Sequence, residues 1–573
     1  MKNKLKIHIS TLLCILLLLS SVYATQAVEA EPQHNSQENI LQTSSDIKSD
    51  KVEISRFAID SEPQKDIILP TKSNSLPSYY NGIEEGYVTS VKNQKNHNTC
   101  WAFAGIATLE SHLLKKGYGE YDFSEEHMNL WASTRNNGTG WQRDYEGSGY
   151  ALISPGYFTS FSGIANEQTF PYDTLQNAKY EDLHTVTPEY GVTEIEYITN
   201  DINLVKDSIY NNGAVYANCN VSTRFFNSTS TALNCNEYTS ANAIYGHVVT
   251  IVGWDDFYSK DNFNPNSKPI NNGAWLVKNS WGENYAKNGY FWISYEDKYI
   301  LNPIFGDSYT IKTVEQLEPT DKLYQHDEYG STYNMKIFEN IDGNSVYQED
   351  LTFINVFDFS TDDRILDNVI FESESVGSTY TVYLTPIVGT APIKDKSEWT
   401  KLQTGTIDYK GYHSIDIKNF SLPRTKFGIA VTINSENCDA FASIGVSETV
   451  FNSSANKTTF KPNPNKNDGF IYFNNNMYEF LDFYKTTLND NINTGSITIK
   501  ALTSYNDSLM LGDIDGDKSI TLTDCLTLQL YISKYFDADS VDFTLDLANC
   551  DTLQDGNINL KDLLQLQTSM VLH

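Results

Sequence analysis

Residues 91–104 read Val-Lys-Asn-Gln-Lys-Asn-His-Asn-Thr-Cys-Trp-Ala-Phe-Ala, and the end of this stretch opens a helical pattern. An Asn/Thr start signal and apolar residues at helical spacing predict a helix from Thr99 to Lys116; the apolar positions are Phe103, Ile106, Leu109 and Leu113. Cys100 would then lie at the helix start, where unpaired N–H groups and the positive end of the helix dipole stabilise a thiolate. The alternative is a buried structural cysteine, the usual fate of a free thiol.

Two later segments add a histidine and an asparagine. Gly246-His247-Val-Val-Thr-Ile-Val-Gly-Trp254 places one histidine at the start of an apolar strand, and Lys278-Asn279-Ser280-Trp281-Gly282 follows a second apolar run. Taken singly, this histidine is typical of a packed or surface residue and this asparagine of a turn. The order Cys, His, Asn instead predicts a nucleophile, a base that takes the thiol proton, and an amide that orients the imidazole ring.

The region from Leu76 to about Ile304 resembles the papain-like cysteine peptidases. Besides the three segments above, the resemblance rests on family landmarks, which are Ser124-Glu125-Glu126, Gly163-Ile164-Ala-Asn-Glu167, Phe170-Pro171-Tyr172 and Gly213-Ala214-Val215. It implies an α+β fold with catalytic residues Gln94, Cys100, His247 and Asn279, in which the glutamine, six residues before the cysteine, completes the oxyanion hole. It further implies that the substrate binds as an added strand; the substrate-binding residues would be Gly147, Ser148, Gly149, Val248 and Trp281, and the tryptophan would also shield the His–Asn pair.

The chain departs from this family in three places. Asn96-His97-Asn98-Thr99 stands where the family has Gly-x-Cys-Gly, so the disulfide formed there is missing, and His97 is interpreted as a loop residue. Residues from about 257 to 272 are an insertion, expected to form a surface loop. The long helical propeptide of the family is also absent, since about 50 residues separate Leu76 from the predicted signal peptide.

Composition and the N-terminus predict an extracellular protein. The chain has 573 residues, 41 basic and 73 acidic, and its net charge of −32 argues against binding to nucleic acid or to anionic membranes. Three lysines, an apolar run from Thr11 to Leu19 and the small-residue pattern ending at Ala24 predict a signal peptide at residues 1–24. That run is too short for a transmembrane helix, and we expect no transmembrane segment elsewhere.

The six cysteines outside the signal peptide leave the disulfide pattern open. Cys219 with Cys235, and Cys525 with Cys550, are close enough in sequence to pair in an oxidising compartment. Cys100 and Cys438 would then remain free.

Changes in residue pattern predict several domains. Residues 25–75 are polar and poorly periodic, as in a propeptide or linker, and residues 76–307 form the peptidase domain. Residues 315–505 consist of β-rich runs between Asn, Asp, Gly and Ser turns, which predicts an all-β sandwich. This sandwich resembles the lectin-like domain of some bacterial surface peptidases, through Tyr324-Gln-His-Asp-Glu-Tyr-Gly330 and Phe427-Gly-Ile-Ala-Val. Carbohydrate binding and simple packing against the peptidase are equal alternatives for it.

The C-terminal segment, residues 508–573, contains two Asp-rich loops that each run into a helical pattern. Asp513, Asp515, Asp517 and Asp524 occupy positions 1, 3, 5 and 12 of the first loop, a spacing that wraps around one Ca²⁺. Ser519 and Thr521 complete this candidate ligand set. The second loop offers Asp551, Asp555, Asn559 and Asp562; its third position is Leu553, and an insertion could supply Asn549 and Asp551 as the first two ligands instead.

Two loop–helix repeats in about 65 residues resemble a dockerin, the small α-helical module that binds the cohesins of a cellulosome-type scaffold. Lys518 replaces the usual loop glycine, and a solvated acidic tail is the alternative. The sequence thus predicts a secreted cysteine endopeptidase for protein substrates, displayed at the cell surface or on a cellulosome, with structural Ca²⁺ and no catalytic cofactor. The competing hypotheses are a catalytically idle adhesion protein with the same fold and a transglutaminase-like acyltransferase.

Overall fold

We analysed a computed structural model of the chain. It describes residues 47–48, 52–55, 76–134, 139–173, 183, 185–237, 246–341, 344–361, 363–452, 457–488, 495–505, 512–514, 520–532, 547–550, 552–553 and 558–572. The predicted signal peptide lies outside these residues. The architecture confirms the predicted fold class, because helices and a sheet in the peptidase region are followed by a region that is mostly β and then by short helices.

The helices begin and end at the following residues: α1 Cys100–Lys116, α2 Glu125–Trp131, α3 Ile153–Thr159, α4 Ile202–Asn212, α5 Phe480–Leu488, α6 Leu522–Ile532, α7 Leu547–Cys550 and α8 Leu560–Leu572. Helix α1 is buried from Cys100 to Leu113 and ends at Gly117, whose φ of 83° is the left-handed conformation that glycine adopts without strain. Thr99 precedes the helix but does not cap it, because its hydroxyl is hydrogen-bonded to the hydroxyl of Tyr172, 2.6 Å away.

The strands up to the end of the peptidase region are β1 Ile47–Lys48, β2 Val52–Ser55, β3 Tyr79–Asn81, β4 Gly140–Trp141, β5 Tyr190–Ile198, β6 Val215–Asn220, β7 Phe226–Asn227, β8 Ala232–Leu233, β9 Gly246–Asp255, β10 Ala274–Lys278, β11 Tyr290–Ser294 and β12 Ser308–Gln316. The expected insertion is a loop with two 3-10 helices, Lys260–Asn262 and Pro265–Ser267, and Phe257 at its start is exposed. The β12, β6, β9, β10 and β11 strands lie side by side in that order, and α1 packs against β9.

The strands of the following region are β13 Lys322–Tyr324, β14 Tyr333–Ile341, β15 Asn344–Tyr347, β16 Asp350–Asp358, β17 Arg364–Ser373, β18 Thr379–Val388, β19 Ala391–Pro392, β20 Thr400–Thr406, β21 Gly411–Leu422, β22 Lys426–Asn434, β23 Ile444–Glu448, β24 Val450–Asn452, β25 Lys457–Lys461, β26 Gly469–Phe473, β27 Asn476–Glu479, β28 Gly495–Ile497 and β29 Ile499–Tyr505. One sheet has the order β19-β18-β22-β16-β26-β27, and its residues share a core with strands β17, β21 and β29. Alternating apolar residues face this core, as in a sandwich.

Three strand pairings join the sandwich to the rest of the chain. Strand β21 pairs with β5, so one 13-stranded sheet continues from the sandwich into the peptidase region. Strand β25 pairs with β4, with Phe460 opposite Trp141. Strands β1 and β2, from the expected propeptide or linker, add to β14 at the edge of a further sandwich sheet.

The C-terminal helices α6 and α8 contact each other, and α7 contacts β21. Buried residues of this segment, among them Leu528, Leu563 and Leu566, belong to the same apolar core as the sandwich. Among the described residues, none of the helices combines the length and the hydropathy that a membrane span requires.

The cysteines answer a question that the sequence left open. Among the described residues, neither the Cys219–Cys235 nor the Cys525–Cys550 disulfide is present. The Cys235 thiol donates to the carbonyl of Asn220 at 3.2 Å, and the Cys525 thiol lies 3.3 Å from the sulfur of Met570.

Candidate active site

Cys100 is the first residue of α1 and only 4% exposed. Burial raises the pKa of its thiol to about 11, although the backbone N–H groups of Val248, Trp101 and Cys100 itself act in the opposite direction. The amide of Val248 brings the strand that carries His247 against the sulfur atom. A thiol in this place therefore needs a base beside it to ionise at neutral pH.

His247 lies near the start of β9, buried between neighbouring strands, with Cys219 opposite it on β6. Its Nε2 lies 2.7 Å from Oδ1 of Asn279, which follows β10 directly. The amide oxygen can only accept, so Nε2 carries a proton and, in the neutral ring, the lone pair is on Nδ1. The ring of Trp281 covers this pair, with its centroid 4.6 Å from that of the imidazole. The hydrogen bond from His247 to Asn279 thus fixes the tautomer in which Nδ1 can act as a base.

Gln94 is fully buried, and hydrogen bonds of its side chain and backbone hold it in place. The hydroxyl of Ser280 donates to its side-chain oxygen Oε1 at 2.6 Å, and its own Nε2 donates to the carbonyl of His97 at 2.7 Å. Its backbone N–H donates to the carbonyl of Ser280 at 2.7 Å. Since Nε2 has two hydrogens, one remains for a ligand, as an oxyanion donor requires.

The predicted substrate-binding loop lies against the catalytic helix. Gly147, Ser148 and Gly149 are partly buried, and a Cβ on Gly149 would lie 2.3 Å from Nε1 of Trp101, so only glycine fits there. The side chain of Arg143 braces the loop, donating to the carbonyls of Asp144, Tyr145 and Gly147. Val248 is buried beside the thiol.

A network of buried charges lies behind the site, and the motifs that contain Glu125 and Lys278 gave no signal of its contacts. The Lys92 ammonium lies 2.9 Å from Glu110 and 3.1 Å from Glu125, and Lys278, one residue before Asn279, donates to the hydroxyl of Thr89 at 2.9 Å. Burial raises the pKa of Glu125 to about 8 and lowers that of Lys278 to about 8. Both side chains line a small cavity together with Asn279 and Ser280. Ser280 belongs to the motif of residues 278–282, but this motif did not indicate that Ser280 binds Gln94.

The candidate calcium ligands lie partly outside the described residues. Asp515, Asp517, Ser519, Asp551 and Asp555 belong to that group. Among the described residues, no three His, Cys, Asp or Glu side chains gather as a metal site. In the first loop, Oδ1 of Asp524 accepts the N–H of Ile514 at 2.6 Å, which brings the end of the loop back to Asp513 at its start.

The second loop repeats this closure. Asp562 accepts the N–H groups of Leu553 at 3.1 Å and Asn559 at 2.9 Å. Thr521 occupies the corresponding place in the first loop, where its N–H donates to Asp524 at 2.6 Å. Asn549, suggested as a second-loop ligand, uses its side-chain N–H to bind the carbonyl of Asp513 at 2.7 Å. These oxygen-rich loops fit a hard cation such as Ca²⁺.

Sequence models of three protein families match successive parts of the chain. Residues 76–304 match the papain family cysteine proteases, residues 323–503 the lectin-like domain, and residues 511–570 the dockerin type I domain. Among curated proteins, cathepsin J of Rattus norvegicus is 28% identical over 234 residues, which are 39% of this chain and 61% of that protein. The match thus spans about three fifths of the length of this relative.

Solved structures of the clostridial cysteine protease Cwp84 match a larger part of the chain. One, obtained after propeptide cleavage, is 34% identical, with a TM-score of 0.65, and covers 75% of this chain and all of that one. Another contains the cysteine protease and lectin-like domains of Cwp84, a surface layer associated protein of Clostridium difficile. It is 32% identical, with a TM-score of 0.67, and covers 80% of this chain and 99% of that one.

Proposed function

Because this chain belongs to the papain family of cysteine proteases, we propose that it is a secreted endopeptidase that cleaves proteins through Cys100, His247 and Asn279. The observation that carries the proposal is the 2.7 Å contact between Nε2 of His247 and Oδ1 of Asn279. His247 lies on β9, and the backbone N–H of the following residue, Val248, is hydrogen-bonded to the Cys100 thiol. The predicted signal peptide supports secretion.

The reaction follows from this geometry. His247 takes the proton from the Cys100 sulfur, and the thiolate attacks the carbonyl carbon of the scissile peptide bond. Gln94 Nε2 and the backbone N–H of Cys100 stabilise the oxyanion. As the C–N bond breaks, the imidazolium donates its proton to the leaving amine. Water then hydrolyses the thioester, which releases the acid and restores the thiol.

Labelling the thiol tests this proposal. We expect a thiol-directed epoxide inhibitor to modify Cys100 and stop peptide hydrolysis, and Cys100→Ala to lose both labelling and activity while unfolding at the wild-type temperature. Cys438→Ala, which removes a half-buried thiol of the sandwich, is the matched control and should remain active. A wild-type protein with neither labelling nor hydrolysis would favour the idle adhesion protein.

We further propose that the dockerin domain attaches the enzyme to a cohesin of a scaffold protein. Leucines one helical turn apart are exposed on both helices, at Leu522 and Leu526 on α6 and at Leu560 and Leu564 on α8, with Leu522 76% and Leu560 68% exposed. Exposed apolar residues in such a regular arrangement suit a protein partner. The match of residues 511–570 to the dockerin type I family supports a cohesin as this partner.

Calcium would hold the two loops that precede these helices. In the first loop the ligands would come from Asp513, Asp515, Asp517, Ser519, Thr521 and Asp524, and in the second from Asp551, Asp555, Asn559 and Asp562. Bound Ca²⁺ would neutralise the crowded carboxylates and so stabilise the surface that cohesin contacts. For the lectin-like domain, the strand pairings of β21 and β25 support a structural role, and carbohydrate binding stays a prediction.

A further inference from the structure

His97 lies between Gln94 and Cys100 and is held by two carboxylates. Its Nδ1 lies 2.6 Å from Oε2 of Glu146, and its Nε2 lies 3.0 Å from Oδ1 of Asp173. An ionised carboxylate can only accept a hydrogen bond, so both ring nitrogens must donate, which requires the imidazolium form. The geometry of this histidine is therefore that of a charged bridge.

The bridge joins three segments around the oxyanion position. The backbone carbonyl of His97 accepts the side-chain N–H of Gln94 at 2.7 Å. Glu146 directly precedes the substrate-binding loop, and its carbonyl accepts a second bond, from Asn98 Nδ2 at 3.1 Å. Asp173 directly follows Tyr172, whose hydroxyl donates to the carbonyl of Gln94 at 3.0 Å. Movement of the imidazole would thus disturb both the oxyanion donor and the loop that binds substrate.

We propose that His97 is a positioning residue, whose protonated ring holds Gln94 and the Gly147–Gly149 loop in register for peptide hydrolysis. Because both ring nitrogens contact carboxylates, this connection depends on protonation of the ring. The inference rests on the proposed peptidase function. This residue acts through Gln94, which its backbone carbonyl contacts, and through Glu146, which its ring contacts.

The charges around His97 determine the pH range of this effect. Glu146 precedes the Gly147–Gly149 loop, and Asp173 and the Tyr172 ring approach from another segment. Glu126 lies on α2. Lys95 is on the same segment as His97 and pairs with Asp173. Burial lowers the pKa of His97, but Glu146 and then Asp173 outweigh it, and the pKa is raised. The bridge is therefore complete below the ordinary histidine value of about 6.5 and is lost as pH rises through the raised pKa.

A ratio of rates tests the proposal, because other ionisations cancel in it. We would measure kcat/KM of wild type and His97→Gln from pH 5.5 to 9.5, with His326→Gln as the matched control in the lectin-like domain. The pKa of His97 would be measured by NMR of the full chain with labelled histidines, assigned through the variant, and repeated in Glu146→Gln. Epoxide labelling of Cys100 would show that each variant has an intact nucleophile.

We expect His97→Gln to lower kcat/KM about tenfold at pH 6, with retained Cys100 labelling, because small displacements of positioned groups have effects of this size. The ratio of wild type to variant should fall toward one above the measured pKa of His97, while the His326→Gln ratio stays at one. Glu146→Gln should lower the pKa of His97. A ratio that does not change with pH, or a His97 pKa at or below about 6.5, would overturn the proposal. Absent Cys100 labelling in wild type would instead overturn the peptidase function on which it rests.

Discussion

The hydroxyl of Ser280 donates to Oε1 of Gln94 over 2.6 Å. The preceding residue, Asn279, accepts from Nε2 of His247, so two adjacent residues orient both the proposed oxyanion donor and the proposed base. The bond from Ser280 fixes which end of the glutamine amide is the donor, because it occupies the oxygen and directs Nε2 away from it. In the proposed mechanism, oxyanion stabilisation by Gln94 thus depends on Ser280.

We expect Gln94→Ala to lower kcat by about 10²–10³ with little change in KM, because the oxyanion forms only along the reaction path. Ser280→Ala should lower kcat less, by roughly tenfold, since the amide stays but loses its orientation. In the double variant the serine change should add almost nothing. Steady-state kinetics with a peptide substrate measure all three, and fully additive effects would contradict a shared pathway.

Ionisation of Cys100 should depend on His247. Because burial raises the pKa of the thiol to about 11, the isolated thiol is protonated at neutral pH. In His247→Ala we expect alkylation of Cys100 by iodoacetamide to be slow at pH 7 and to rise with pH toward 11, while wild type reacts at pH 7. Mass spectrometry of the Cys100 peptide gives these rates. Equal rates in both proteins at pH 7 would mean that the helix end alone ionises the thiol.

The sequence allowed the helix at Cys100 and the strands around His247 and Asn279 to be predicted, because apolar periodicity and local motifs determine them. The resemblance to the papain-like peptidases added Gln94, which lies six residues before the cysteine. The residues that brace these groups were not predictable in the same way. Ser280 acts on Gln94 across 186 positions of sequence. Such contacts depend on how distant strands pair, which local patterns do not encode.

The bridge at His97 shows the same limit. The sequence pattern around His97 indicates only a polar loop. Its partners Glu146 and Asp173 lie 49 and 76 positions away, so local sequence gives no sign of them. The cysteines show a related limit, because closeness in sequence suggested two disulfides that are not present among the described residues. In both cases the outcome depends on contacts in the folded state, which local sequence patterns do not encode.

The sandwich should influence substrate binding through Phe460. This buried ring packs on Trp141 with centroids 4.9 Å apart, and Trp141 stacks on Tyr150, next to Gly149. We expect Phe460→Ala to lower the free energy of unfolding by about 3 kcal/mol and to raise KM. Phe473→Ala, in the sandwich core beside Tyr478, is the matched control and should lower stability alone. Urea unfolding measures the loss of stability in each variant, and steady-state kinetics measure KM. An unchanged KM in Phe460→Ala would show that the sandwich does not influence substrate binding through this residue.

Acid should destabilise the peptidase domain through His112. The ring is buried, with Nδ1 at 2.9 Å from the carbonyl of Asn212, and burial lowers its pKa to about 4. The contribution of the neutral ring to the free energy of unfolding is complete above the unfolded-state pKa of about 6.5 and is lost as pH falls toward 4. Between pH 6.5 and 5 this loss amounts to about 2 kcal/mol. His112→Gln should therefore lose less stability than wild type over this range. Urea unfolding at both pH values measures the difference, and parallel losses would show that other groups cause it.

Calcium should control partner binding and leave proteolysis unchanged. Asp524 and Asp562 lie in the first turns of α6 and α8, and each side chain accepts two backbone N–H groups. Removal of either side chain would therefore disturb the helix as well as any metal site. Asp513 begins the first loop, and its carbonyl, which Asn549 binds, is unaffected by a change of side chain. Asp513→Ala is thus the variant that tests the metal alone.

We expect Asp513→Ala to weaken Ca²⁺ binding to the first loop roughly tenfold, because a charged ligand is lost from a site whose affinity follows its charge. Cohesin capture should then need more Ca²⁺, and excess chelator should abolish it in wild type. Peptide hydrolysis should be the same in both proteins, since Cys100 and His247 need no metal. Calorimetry with Ca²⁺ and surface capture on a cohesin, both with the full chain, measure these effects, and Asp482→Ala, on an exposed residue of α5, is the control. Cohesin capture that persists in chelator would leave the C-terminal segment as an acidic helical tail.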